Sequence, residues 1–435
     1  MLSRRALMKG AVGGVATIAG GRYFAGAPQT APAGPPSIPG DYVLANGKFV
    51  DGRGVVGSAL TIRNGHIVNV RQTTTPVPGI PTIDLGGRTV IPGLFDAHVH
   101  YTRAGINPGH EARRIERAFS IAELQDAIAR VASVVPAGEF ITCIGGWNHT
   151  QLAEARRPTK AELDAAAPKH PVYISGTGGG TGTITNTLGQ AFFASKGVSV
   201  ENANGVIAST APALAALQAA QTPADKLRGT AELNAHANSL GLTGVINASN
   251  LEDQEYPLQL WRQDRLTIRM RPLFPADSPQ DVEARIANNF SQGGRAVGDD
   301  LFRVAGFGER IGGNNTTSPQ FEPTARVIAK HRWMLQQHSI TPAENDFHLN
   351  ALRAIAREYP IDGLRWALIH LQSIDSPRLM ALKNSVPAQA PKPGHICQQG
   401  AGRLFGALWT PEFRRASARI RQMCPRSIPG CRCFT

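Results

Sequence analysis

Two histidines one residue apart, His98 and His100, end the apolar run IPGLFDAHVH at residues 91–100. Side chains on a strand alternate faces, so the two imidazoles point one way and Val99 the other. A pair placed like this can grip one metal ion, imidazole being the commonest metal-binding side chain. By itself the pattern leaves a plainer reading open, two surface histidines beside a turn. Further along, strand-like segments end in Glu309, His338 and His370. Four histidines and a carboxylate at successive strand ends form a ligand set suited to zinc or a similar divalent ion. For Glu309 the plainer alternative is an exposed acid in a turn. The other histidines (His66, His110, His149, His170, His236, His331, His348 and His395) fall mostly in helical, turn or loop segments and are expected to be solvated.

Such a set needs a scaffold that gathers strand ends, and the order of elements supplies one. Residues 41–90 read as short alternating segments broken by turns: YVLANGKFVDG, SALTIRNGHIVNV and TIDLGGRTVIPG. Asn46-Gly47 and Asn64-Gly65 are two-residue hairpin signals, which predicts a small antiparallel β domain. Past residue 91 strands alternate with helices. Ser120-x-x-Glu123 and Thr159-x-x-Glu162 read as capping boxes, a helix from Pro223 stops at Gly241, and Ser278-Pro279 opens another. LTGVINAS, LTIRMRPLF, FRVAGFGE, RWMLQQHS and RWALIHL read as strands. Six strand–helix units predict an α/β fold, a (β/α)8 TIM-type barrel over 91–387, with catalytic residues at the C-terminal strand ends. The stretch 103–235 is too long for one loop and predicts an insertion that roofs the site.

Composition narrows the class. The chain has 435 residues, 42% hydrophobic and 6% aromatic, as in soluble globular proteins. A net charge of +13 raises nucleic acid or an anionic surface as a partner. Beyond Gln389, however, eight basic residues stand against the single acid Glu412, and no basic stripe carries interleaved aromatics. The excess is largely a property of the tail, and no nucleic-acid partner is expected. At the other end, Ser3-Arg4-Arg5-x-Leu7-x-Lys9 precedes a Gly/Ala-rich stretch. It reads as a twin-arginine export signal within residues 1–40, which predicts a periplasmic protein. The stretch is too short and glycine-rich for a stable membrane span.

The chain resembles the amidohydrolase superfamily, and within it the metal-dependent hydrolases of the amidohydrolase family 3 type. The motifs are Pro92-Gly93-Leu94-Phe95-Asp96-Ala97-His98-Val99-His100, Gly146-Trp147, RPTKAELDAAAPKHPVYISG, GLTGVINAS and the segments ending in His338 and His370. They run in order over residues 41–385. The resemblance implies that His98 and His100 bind one metal, that His338 and His370 bind a second, and that a strand-four carboxylate, here Glu309, bridges them. It makes Trp147 a candidate substrate contact. The implied reaction is hydrolysis of an amide or related C–N bond in a small-molecule substrate, with metal acidifying water and polarising the carbonyl. One or two ions fit this pattern.

Two departures qualify it. Relatives often carry a substrate-holding histidine in the segment aligned with SGTGGGTGTITNT, where this chain has glycines. The family pattern also fades after Pro387: no strand-eight aspartate is found, and residues 388–435 form a basic tail holding Cys397, Cys424, Cys431 and Cys433. In an exported protein those cysteines could pair; the abrupt shift in composition reads instead as a reading-frame slip or truncation. The barrel is therefore expected to be incomplete at its C-terminal end. A catalytically inactive metal-binding fragment is the alternative to an active hydrolase.

Overall fold

A computed structural model describes residues 40–378, apart from 52–53, 73–77, 177–181, 202, 249–253, 288–297 and 372. The export segment, His395 and the four tail cysteines lie outside the described residues. The first strands are β1 (Tyr42–Ala45), β2 (Lys48–Asp51), β3 (Gly54–Gly57), β4 (Ala59–Arg63), β5 (His66–Arg71), β6 (Thr82–Asp84) and β7 (Thr89–Val90). They form two small sheets, ordered β5-β4-β1-β6 and β3-β2-β7. Asn64 and Gly65, at φ 49° and 76°, make the tight turn between antiparallel β4 and β5. Such a turn matches the right-handed twist of its strands.

Asn46-Gly47 does not make the expected hairpin, because β1 and β2 lie in different sheets. Asn46 is left-handed, at φ 54°, but its side chain donates to Asp84 Oδ1 at 2.9 Å. That tie to β6 turns the chain from one sheet into the other. The unit is also mixed rather than antiparallel, since β1–β6 and β2–β7 pair in parallel.

Strand β8 (Leu94–Val99) and the short helix α1 (Tyr101–Gly105) begin the larger unit, which is then interrupted. The interruption holds β9 (His110–Glu111), α2 (Ile121–Ala132), β10 (Ile141–Ile144), α3 (Lys160–Ala166), β11 (Val172–Ser175), β12 (Thr183–Thr185), α4 (Thr187–Ser195), β13 (Val206–Ile207) and α5 (Thr210–Ala220). It is an α/β unit with its own five-stranded sheet. Ser120 and Thr159 cap α2 and α3. Period-two alternation divides its core between the two faces. Ile141, Cys143, Val172 and Ile174 pack with Leu124, Ile128 and Leu163 on one side. Tyr173 meets Phe192, Phe193 and Leu217 on the other.

The larger unit resumes with α6 (Pro223–Ser239), closed by Gly241 at φ 80°, and β14 (Leu242–Ala248). Then follow α7 (Glu255–Arg262), β15 (Arg269–Ala276), α8 (Pro279–Arg285), β16 (Gly306–Ile311), α9 (Phe321–Lys330), β17 (Met334–Ser339), α10 (Pro342–Glu358) and β18 (Ala367–His370). The sheet runs β18-β17-β16-β15-β14-β8, with every neighbouring pair parallel. This is the strand order of a TIM-type barrel, with six strands among the described residues. Phe307, Ile311 and Leu335 point outward into a core shared with Phe321, Ile328 and Ile355 of the helices.

Three histidines expected to be solvated are buried: His110, His170 and His348, at 8%, 4% and 0% exposure. Each has polar partners. His110 Nε2 lies 2.5 Å from Glu139 Oε2, His170 Nδ1 lies 3.2 Å from the Glu139 carbonyl, and His348 lies between Ser339 Oγ and the Thr316 carbonyl. Paired in this way, a histidine satisfies its nitrogens without water, which a one-dimensional pattern does not reveal.

Candidate metal centre

Strand alternation aims most of the site. On β8, Val99 packs outward against the cluster of Leu260 and Met270, leaving His98 on the inner face. On β17, Leu335 faces the helices, so Gln336 and His338 face inward. His370 ends β18 at φ 73° with Leu371 at φ 42°, and the Leu371 N–H donates to the Ser339 carbonyl at 2.9 Å. Two non-glycine residues held there cost about 1–3 kcal/mol each, a kind of strain that collects at functional sites.

Glu309 reaches the interior differently. Phe307 and Ile311 both point outward, and strict alternation would send Glu309 with them. The pairing of β15 with β16 slips here: Phe274 faces Phe307 and Ala276 faces Ile311, so Gly308 to Arg310 lie opposite the single Pro275. Such a bulge re-aims a side chain, here into the barrel. Gly308 is required because a Cβ there would stand 2.8 Å from the Gln336 carbonyl oxygen.

Four imidazoles surround that carboxylate. His100 Nε2 is 3.0 Å from Glu309 Oε2 and His98 Nε2 is 3.9 Å from it; His370 Nε2 and His338 Nε2 lie 3.1 and 3.7 Å from Oε1. His98, Glu309 and His370 each offer a donor atom within 4.8 Å of the others. His98 and His370 stand on strands at opposite ends of the sheet order, yet their ring centroids are 5.2 Å apart.

Burial pushes the His98 pKa down to about 4, against the pull of Glu309, and burial lowers His338 as well. Burial also works to raise Glu309, but hydrogen bonds from His100 and His370 outweigh it and hold the carboxyl well below its usual range. His100 moves up through its hydrogen bond with Glu309, against its own burial. At neutral pH the site therefore holds an ionised carboxylate and a neutral His98.

The ring contacts test whether a cation fits. His98 Nδ1 lies 3.0 Å from Gln336 Oε1, and His100 Nδ1 lies 2.7 Å from the Ala248 carbonyl oxygen. Oxygen acceptors on Nδ1 mean that Nδ1 carries the proton, which leaves the His98 Nε2 lone pair facing Glu309. That atom is buried and has no hydrogen-bond partner. A lone pair opposite a carboxylate is unfavourable until a positive charge lies between them. The residues fit a divalent ion with nitrogen and carboxylate ligands.

A sequence profile of the amidohydrolase family matches residues 81–403. The chain belongs to the amidohydrolase family. Among curated relatives, an N-substituted formamide deformylase from Arthrobacter pascens is 29% identical over 136 residues, which is 30% of this chain and 25% of that protein. A dihydroorotase from Bacillus cereus (strain B4264) is 23% identical over 172 residues, or 39% of this chain and 38% of the relative. The matches thus span about a quarter to two fifths of these relatives. A metal-dependent hydrolase structure from Pyrococcus furiosus superposes with a TM-score of 0.52 at 18% identity, covering 79% of this chain and 75% of that one, which supports the fold.

In this amidohydrolase the five strand-end residues named from sequence come together, and Trp147 does not join them. It is 2% exposed and sits in the core of the inserted sheet with Ile115, Leu124 and Leu152. The insertion is fastened to the barrel through α6 and the segment after α1: the Arg228 guanidinium donates to His110 Nδ1 at 2.8 Å, and Gln221 Nε2 to the Ile106 carbonyl at 3.1 Å. The segment where relatives carry a histidine, 175–187, falls partly outside the described residues. Sequence reasoning missed Gln336 and the Ala248 carbonyl. Gln336 carried a legible signal, since it stands two residues before His338 and so on the same face of the strand.

Proposed function

We propose that this amidohydrolase is a metal-dependent hydrolase acting on a non-peptide, amide-type C–N bond of a small molecule, with zinc or a similar divalent ion held by His98, His100, Glu309, His338 and His370. The observation that carries the reading is the convergence of four imidazoles on one buried, ionised carboxylate, with the His98 lone pair turned toward it. A divalent ion held there would acidify water and polarise the substrate carbonyl. Glu309 supplies negative charge and, with two oxygens, can serve one ion or bridge two. His98 stays neutral at working pH and offers Nε2; His100 is oriented by the Ala248 carbonyl. The deformylase and dihydroorotase relatives support C–N chemistry. The Arg4-Arg5 segment supports export to the periplasm by the twin-arginine route.

One observation favours a second reading, metal binding without turnover: the sequence carries no recognisable strand-eight aspartate to accept and return a proton, a service typically worth roughly 10²- to 10⁴-fold in rate. Elemental analysis of the purified chain beside the His98→Ala, His100→Ala double variant, with hydrolysis assays on N-formyl and cyclic amides, separates these readings. One or two equivalents of zinc in the parent and little in the variant are expected. Equal metal in both would remove the site assignment, and metal without turnover would establish the second reading.

A further inference from the structure

The interior of a barrel of this type is filled mainly by branched apolar side chains, and a buried amide there is costly unless both of its ends are paired. Gln336 is such an amide, fully buried on the inner face of β17. Both ends are paired. Nε2 donates to the Ala97 carbonyl oxygen at 2.9 Å, and Oε1 faces His98 Nδ1 at 3.0 Å.

The two contacts are not independent. The Ala97 carbonyl can only accept, so the amide nitrogen must face it. The amide oxygen is then turned to His98, and an amide oxygen also can only accept. His98 must therefore carry its proton on Nδ1 and present the bare Nε2 to Glu309. A backbone carbonyl on β8 thus dictates, through one side chain on β17, which nitrogen of the neighbouring histidine is available. Resting on the proposed metal site, we propose that Gln336 is the positioning residue that makes His98 a ligand, by fixing its tautomer and ring orientation. His100 receives the same service from a backbone atom, the Ala248 carbonyl, which no substitution removes. The control of His98 is therefore genetically separable.

The test compares Gln336→Leu with Gln336→Glu in the full chain, measuring the zinc dissociation constant by chelator competition and the melting temperature of metal-free protein. Leucine fills the volume but removes the amide that His98 Nδ1 and the Ala97 carbonyl both contact. Glutamate keeps an acceptor for Nδ1–H while burying a charge. Losing an outer partner of a metal-bound histidine typically weakens affinity roughly 10- to 100-fold. Zinc affinity is expected to fall by that factor in Gln336→Leu and to recover in Gln336→Glu, even though the glutamate variant melts lower. Affinity that merely tracks melting temperature across the pair would make Gln336 a packing residue and overturn the inference. Parent-like affinity in Gln336→Leu would overturn it too, while leaving the metal site intact. A parent that binds no zinc would overturn the site reading itself.

Discussion

The barrel and its insertion each bury histidine beside glutamate, and the two clusters behave differently. In the insertion, His110 Nε2 contacts Glu139 and its Nδ1 accepts from Arg228, so both ring nitrogens are satisfied and the protein supplies its own cation. Burial, with Arg228 close by, pushes His110 down to about 3. In the barrel, His98 and His100 are each held from outside the cluster through Nδ1, by Gln336 and the Ala248 carbonyl, and their Nε2 atoms converge on Glu309. Composition does not separate the clusters; the direction in which the outer hydrogen bonds push the lone pairs does. A buried His–Glu pair already joined to an arginine is a fastener, whereas one whose second nitrogens face a common carboxylate has the charge pattern that suits a cation.

The sharpest way to break this contrast is to neutralise each glutamate in turn. Glu309→Gln should weaken zinc binding by at least roughly 100-fold, more than the loss of an outer partner usually costs. Glu139→Gln should bind zinc as the parent does and show its effect only in stability. Equal zinc affinity in the two variants would show the clusters to be alike.

Next in size is Trp147. As a core residue of the insertion, its replacement by alanine should cost about 3–5 kcal/mol in denaturant unfolding of that unit, with metal content per folded chain unchanged. A raised KM without loss of stability would instead place Trp147 against substrate.

The smallest effect concerns protons. His348 is fully buried between Ser339 Oγ and the Thr316 carbonyl, and burial lowers its pKa to about 4. Between about pH 6.5 and 4 the unfolded chain binds a proton that the folded chain refuses. Stability from this group is thus intact above about 6.5 and lost as pH falls through that window, by at most about 3 kcal/mol. Metal-free His348→Gln protein should show a flatter acid limb than the parent in urea unfolding measured across that range. Parallel limbs would mean that the ring takes up its proton without penalty.

Much of this was legible in the sequence because period-two patterns and strand ends are local facts. His98, His100, His338 and His370 follow from strands whose outward residues are apolar, and Thr159 and Gly241 mark helix limits through local chemistry. What escaped depends on partners far along the chain. Asn46-Gly47 has the composition of a hairpin, but Asp84 decides where the turn leads. His110 looked solvated because Glu139 and Arg228 are remote from it in sequence. Gln336 showed its parity but not its partner, since His98 lies 238 residues away. Trp147 stood in a family motif, and motif position says nothing about whether an indole faces a core or a cleft.

That span of 238 residues also bears on how the molecule assembles. β8 emerges early and β17 and β18 late, with the whole insertion between them, so the cluster is absent from any partly built chain and appears only when the sheet curls far enough to bring its first and sixth strands within reach. Contacts this distant carry a large closure entropy and are among the slower ones to form. An ion that needs all of them can recognise only the finished barrel: it adds nothing to nucleation, acts as a latch set after closure, and lends the native state stability that grows with the logarithm of its concentration, about 2.7 kcal/mol at a hundredfold excess over the dissociation constant.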